Sequence, residues 1–134
     1  SYLTIELKGP IPVDTRAAAS NHAYGCDVCQ EVCPWNAQPP DQDEPGSPWL
    51  PRAVFDGPSL ADLWRTPDAD LRRALKGSAM SRAGLKRLRR NVAVCAGATG
   101  DGDALSALHE VREPSVADPL VAEHVAWALE RADG

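Results

Sequence analysis

The sequence predicts a mainly α-helical protein that begins with a cysteine-bearing loop. Three observations carry this. Beyond residue 58, apolar residues recur at helical spacing, and Leu85, Leu88, Val92 and Cys95 fall on one face of a single helix. Between 37 and 58 lies a run with Pro39, Pro40, Pro45, Pro48, Pro51 and Pro58, which no regular element tolerates. Before it, Cys26, Cys29 and Cys33 stand at C-x2-C-x3-C, with Pro34 directly after the last.

In order along the chain, Tyr2, Leu3, Ile5 and Leu7 fit either a short helix or an alternating strand, closed by Gly9-Pro10 and Pro12. Asp14 is a candidate N-cap for a short helix through Thr15–Ala19. The cysteine stretch reads as a loop, with Gly25 allowing close backbone approach and Pro34 stopping any helix at Cys33. The connector, 37–58, is expected to wrap the surface, pinned by Trp49, Leu50 and Phe55. Ser59 can cap a helix over 60–65. Asp68 can cap one ending at Gly77, and Ser81 can open a long one ended by Gly97 and Gly100. Asp103 can cap a helix over 104–111, and the last helix runs from Pro119 to Arg131. The pattern of residues 88–96 recurs at 121–129, an offset of 33. Paired-helix repeats of the HEAT type read this way. The expected architecture is therefore a ferredoxin-like cysteine loop segment (1–36), a Pro-rich linker (37–58) and a HEAT-like α-helical domain (59–134).

A chain of 134 residues with 43% hydrophobic content suits one ordinary domain. No apolar run approaches the roughly 18 residues that span a bilayer, so no membrane partner is expected. The first residues lack the basic start and apolar centre of a signal peptide. The chain opens without Met inside a periodic segment, as part of a longer protein would. Four cysteines, three of them within eight residues, suit metal binding in a reducing, cytoplasmic setting rather than a disulfide framework.

The net charge of −5 is unevenly spread. Residues 59–90 carry nine basic and three acidic side chains, whereas residues 101–134 carry two basic and eight acidic. The acidic balance argues against a nucleic-acid partner, but the basic block argues locally for one. Its candidate phosphate contacts are Arg72, Arg73, Lys76, Arg82, Lys86, Arg87, Arg89 and Arg90, against the plainer reading of a solvated helix face. Asp41, Asp43 and Glu44 read as a solvated charge run, and His109 and His124 as surface or partly buried packing residues. No nucleophile–base constellation and no phosphate loop is visible, so no catalytic residue is assigned.

C-x2-C-x3-C-P is the tail of the bacterial run C-x2-C-x2-C-x3-C-P that wraps 4Fe–4S clusters, and its first cysteine would fall at Ala23. In two-cluster proteins the Cys-Pro cysteine ligates the other cluster. Cys26 and Cys29 are thus expected to serve one cluster and Cys33 a second, each completed from elsewhere. A zinc site of His22, Cys26, Cys29 and Cys33 is the alternative, and unligated thiols the plainest. Cys95, on an apolar helical face, reads as a small buried hydrophobe rather than a ligand.

The runs Ser1-Tyr2-Leu3-Thr4-Ile5-Glu6-Leu7-Lys8-Gly9-Pro10-Ile11-Pro12 and Tyr24-Gly25-Cys26-Asp27-Val28-Cys29-Gln30-Glu31-Val32-Cys33-Pro34-Trp35-Asn36 resemble the iron–sulfur region of epoxyqueuosine reductases. Arg89-Arg90-Asn91-Val92-Ala93-Val94 and the last helix resemble the family's HEAT-like C-terminal part. The resemblance implies reduction of the epoxide of epoxyqueuosine at the tRNA wobble position, with cobalamin and two 4Fe–4S clusters. It implies that an upstream half, in the same protein or a partner chain, supplies the other cluster ligands, the cobalamin site and the catalytic acid. It also strengthens the basic block as a tRNA surface. His22, where a basic residue is usual, and the stretch from Cys95 to Gly100 depart from the family's pattern. The rival readings are a ferredoxin-like electron-transfer module of another oxidoreductase, a zinc-stabilised helical adaptor and a degenerate gene remnant.

Overall fold

The long helix predicted around Leu88 and Val92 is the axis of the molecule. The computed structural model describes residues 1–37, 50–111 and 113–134. The expected roles of Trp49, of the prolines at 39, 40, 45 and 48, and of the acidic run Asp41, Asp43 and Glu44 lie outside the described residues. Seven α-helices and several shorter turns form the described part, which is mainly helical and contains no strand. They are α1 (Val13–Arg16), α2 (Val28–Glu31), α3 (Leu60–Arg65), α4 (Asp68–Leu75), α5 (Gly84–Thr99), α6 (Gly102–Glu110) and α7 (Pro119–Ala132). None is long and apolar enough to cross a membrane among the described residues.

Helix α5 is buried continuously from Leu88 to Gly97 and packs against α1, α3, α4, α6 and α7. From Val92 to Gly97 the helix is apolar on every face, and such a run must be enclosed on every face. One core joins Trp64 and Leu71 to Leu88, Val92, Leu108 and Val121. A second joins Ile11 and Ala19 to Val94 and Cys95 of α5. Residues ahead of the cysteine loop thus share a core with the helical part.

Side-chain caps open three of the seven helices. Ser59 caps α3, its Oγ accepting from Asp62 N at 3.0 Å. Asp101, not Asp103, caps α6, accepting from Asp103 N and Ala104 N at 3.0 and 3.1 Å. Asp118 caps α7, accepting from Leu120 N at 3.1 Å, with Pro119 in the first turn. Asp14 makes no cap bond; α1 starts after Pro12 and tightens into a 3-10 turn over Ala17–Ala19. Asp68 caps nothing either, because Pro67 holds the cap position and the Asp68 carboxylate turns inward. The ambiguous start, Tyr2–Glu6, is a single π-helical turn.

Two features hold α5 in place. Gly97 sits where α5 crosses α7: a Cβ there would stand 2.7 Å from Ala128 Cα and 2.8 Å from Trp127 Cζ3. At the other end a buried polar hub joins α3, α4, α5 and the loop before α7. Arg89 donates to Asp68 Oδ1 at 3.1 Å, to the Thr66 carbonyl at 2.7 Å and to the Trp64 carbonyl. Its guanidinium lies over the Trp64 ring, 5.2 Å from the centroid. Asp68 also accepts from the Ser115 backbone N–H at 2.9 Å and hydroxyl at 2.5 Å. Burial alone would raise the Asp68 carboxyl, but the Ser115 hydroxyl and N–H and the Arg89 guanidinium outweigh it and hold it below the ordinary range.

Candidate iron–sulfur site

The cysteine stretch is built as three short pieces, each set by one residue type. Gly25 takes φ +73°, a left-handed conformation that L side chains rarely adopt. Asp27 then starts α2, its backbone carbonyl accepting from Gln30 N and Glu31 N at 2.7 and 2.9 Å. Cys26 lies before this single turn and Cys29 within it. Pro34 bars helical geometry for Cys33, which is extended at φ −72°, ψ 122°. A 3-10 turn over Pro34–Asn36 follows. Asn36 Nδ2 donates to the Gln30 carbonyl and side chain, both at 3.0 Å, and ties the end of the stretch to its middle.

Cys26 and Cys29 are exposed and Cys33 is half-buried. An open recess of about 400 Å³ lies beside Cys26, bounded by His22, Tyr24, Phe55 and Met80. Among the described residues no three His, Cys, Asp or Glu side chains converge as a metal-holding group, so His22 and the three thiols are not gathered as one zinc set would be. The donor set does fit an iron–sulfur cluster: thiolates are its preferred ligands, and these are accessible on short turns. Val28, Val32 and Trp35 are 47%, 74% and 93% exposed, leaving apolar surface around the thiols. Cys95 is fully buried on α5, where burial pushes its thiol up to about 12; it packs with Ile11 and Ala19 as the plain reading has it.

The basic block divides sharply. Arg72, Arg73, Lys76, Arg82 and Lys86 are exposed, and Arg87 is half-buried. Arg89 and Arg90 are only 1% and 0% exposed, so they offer no phosphate contact, which corrects the expectation for these two. Arg89 belongs to the Asp68 hub. Arg90 donates to the carbonyls of Leu3, Leu7 and Gly9 at 2.6 to 2.7 Å, and to Asn91 Oδ1 through Nε at 3.0 Å and Nη2 at 2.8 Å. Burial, and then the neighbouring Arg87, lower its guanidinium to about 10. Arg87 donates to the Ile5 carbonyl at 2.9 Å. Sequence reasoning missed this use, although a signal was present: Arg89, Arg90 and Asn91 lead directly into Val92–Gly97, a run apolar on all faces, and the helix that buries such a run buries the polar groups beside it.

Helix α7 grips the same segment. Ile11 N donates to His124 Nε2 at 3.0 Å, while the His124 Nδ1–H donates to the Leu120 carbonyl at 2.7 Å. Both ring nitrogens are committed, and the ring is neutral. Arg16 donates to the Ile11 carbonyl at 2.8 Å, pairs with Glu123 and lies over Trp127. His124 is fully buried, deeper than the surface or partly buried position expected for it. Burial, outweighing the Leu120 bond and assisted by Arg16 and Arg90, lowers its pKa, while Glu123 works in the opposite sense. The unfolded state therefore binds the His124 proton more readily than the native state. This contribution is complete above the ordinary histidine value of 6.5 and is lost as pH falls below it. Protonation strips Ile11 N of its acceptor, a loss of about 1–3 kcal/mol. The carboxyls of Asp68, Asp103 and Asp118, held below 3.8, leave that window clear. Thermal melts are expected to fall between pH 7.5 and 5, and to fall less in His124→Gln, whose amide oxygen accepts without titrating; equal slopes in both proteins would contradict this.

Residues 1–36 match the family model of the 4Fe-4S double cluster binding domain, which supports 4Fe–4S cluster binding by this segment. The chain is 40% identical over 131 residues to the epoxyqueuosine reductase of Yersinia pestis, covering 96% of this chain and 30% of that protein. It is 42% identical over 130 residues to that of Xanthomonas campestris pv. campestris, again 96% of this chain and 36% of the other. Against the enzyme of Pseudomonas aeruginosa it is 42% identical over 134 residues, 98% of this chain and 36% of that protein. By sequence the chain is similar to the C-terminal part of these epoxyqueuosine reductases and spans about a third of their length. No solved structure matches it.

Proposed function

We propose that this chain is the C-terminal part of a tRNA epoxyqueuosine reductase, contributing iron–sulfur ligands and a helical surface for tRNA. The observation that carries this is the cysteine triad within a double-cluster segment, on a chain about 40% identical to these enzymes over 96% of its length. Cys26 and Cys29 serve one 4Fe–4S cluster and Cys33 a second. The clusters, when bound, supply one-electron transfer. The chain's own contribution is to hold the thiols on short turns fixed by Gly25, Pro34 and Asn36. The remaining ligands and the cobalamin site belong to the upstream half. The exposed Val28, Val32 and Trp35 support a covering surface from that half, since apolar area around a site marks an interaction face.

The functional division runs at 1–36, 37–58 and 59–134, the first part ferredoxin-like in its cysteine run and the last HEAT-like in its repeated helices. Arg72, Arg73, Lys76, Arg82 and Lys86 are the phosphate contacts, with Arg87 at their edge. Their exposure supports this role, although Arg82 and Lys86 already pair with Glu6 and Asp118 at 2.8 and 2.5 Å. A cytoplasmic location follows from a tRNA substrate.

The test is a chimera. The chain replaces the matching C-terminal part of the Pseudomonas aeruginosa enzyme, and queuosine is measured in tRNA from a strain lacking that enzyme. Queuosine is expected with the native chain and absent with Cys26→Ser. A folded chimera that forms none, or a Cys26→Ser chimera that forms as much as the native one, overturns the reading.

A further inference from the structure

We infer that Arg90 and Asn91 are positioning residues for the thiolates of Cys26 and Cys29. Through the carbonyls of Thr4 and Ala23 they set where the loop presents those sulfurs to iron. The inference rests on the iron–sulfur reading above and adds residues lying more than sixty positions beyond the cysteines.

The geometry is a relay with no spare group. Arg90 has five N–H donors, and the contacts on Leu3, Leu7, Gly9 and Asn91 use all of them. Asn91 Oδ1 is held by two of these contacts, which fixes its amide orientation. Its two Nδ2 hydrogens donate to the Thr4 carbonyl at 2.7 Å and the Ala23 carbonyl at 2.9 Å. Thr4 passes the restraint on, its Oγ1 accepting from Gly25 N at 3.0 Å. The peptide units on both sides of Tyr24 are therefore pinned just ahead of Cys26, one by Asn91 directly and one through Thr4. Among the described residues Arg90 contacts no carboxylate, so the buried cation is compensated by oriented carbonyls of the segment that leads to the thiols. A partner that served packing alone could be apolar. Groups that orient ligands from behind typically tune metal affinity about 10- to 100-fold.

The test uses the full 134-residue chain reconstituted anaerobically with iron, sulfide and excess 2-mercaptoethanol, the free thiol completing the ligand set. Iron per chain and the EPR spectrum of the reduced protein are compared for wild type, Asn91→Ala and Thr4→Val, the last removing the acceptor of Gly25 N and the hydroxyl's bond to the Ser1 carbonyl while keeping the Thr4 carbonyl that Asn91 holds. Leu71→Ala, a core variant on α4, controls for lost stability. Asn91→Ala and Thr4→Val are expected to retain about tenfold less iron with an altered spectrum. Leu71→Ala, with an equal or greater fall in melting temperature, is expected to keep the wild-type spectrum. A wild-type spectrum and iron content in Thr4→Val and in any folded Asn91→Ala overturns the inference, as does equal iron loss in Leu71→Ala. A wild-type chain that takes up no iron overturns the cluster reading and this inference together. Iron uptake by wild type with unchanged variants overturns this inference alone.

Discussion

Replacing Asp68 by alanine is expected to destabilise the protein by about 3–5 kcal/mol, the usual cost of leaving one member of a buried ion pair alone. Arg89 is 1% exposed and among the described residues pairs with no other carboxylate, Glu113 acting on it only from a longer range. Its remaining acceptors are the backbone carbonyls of Trp64 and Thr66 and the Ser115 hydroxyl. The Ser115 N–H and hydroxyl lose their acceptor in the same stroke. Removing both charges is expected to be gentler: Asp68→Leu with Arg89→Met should recover a large part of the loss, because no buried cation is then left unpaired. Chemical denaturation of the single and double variants measures this. A double variant no more stable than Asp68→Ala would show that shape, not charge pairing, dominates the hub.

Gly97→Val is expected to cost about 3 kcal/mol or more, at the upper end of what overpacking costs, and Gly97→Ala about 1–3 kcal/mol. The added Cβ meets Ala128 Cα at 2.7 Å, a backbone atom of α7 that cannot move without moving the helix. The consequence reaches the cysteine segment, because His124 and Glu123 on α7 hold Ile11 and Arg16. Pushing α7 from α5 should therefore loosen residues 1–25 as well. Faster amide exchange at Ile11 in Gly97→Ala, beside the lowered melting point, is the expected signature. A lowered melting point with Ile11 protected as in wild type would separate the crossing from the grip.

The extent of most helices was legible in the sequence because periodicity and capping act locally, but α5 starts at Gly84 and not at Ser81, which lies in a 3-10 turn over Ala79–Arg82. Ser59 caps as expected, and Gly100 ends α5 in the left-handed conformation at φ +70°. The exact cap was less legible where two acidic residues compete: Asp101 rather than Asp103 starts α6, since only the former stands outside the first turn. Gly97 reads in sequence as a helix end and proves to be the contact point of two helices, a role visible only once α7 lies beside it. The cysteine spacing, with Ala23 where a ligand would complete the run, is the chemical ground on which the proposed function assigns the thiols to two clusters.

What the chain alone determined was therefore the spacing of the candidate thiols and the mainly helical class, both properties of residues at short range. Tertiary structure decided the fate of the arginines. In sequence Arg87, Arg89 and Arg90 are part of a basic block with Arg72, Arg73 and Lys76, and charge by itself cannot say which members face water. Folding encloses α5 on all sides, and the cations within its buried run must then find acceptors or forfeit their hydration. Arg89 finds Asp68, and Arg90 finds the carbonyls ahead of the cysteine loop. A helix expected to support RNA binding turns out to hold the segment that carries the thiols, because desolvation selects partners by position in space and not by position in the chain.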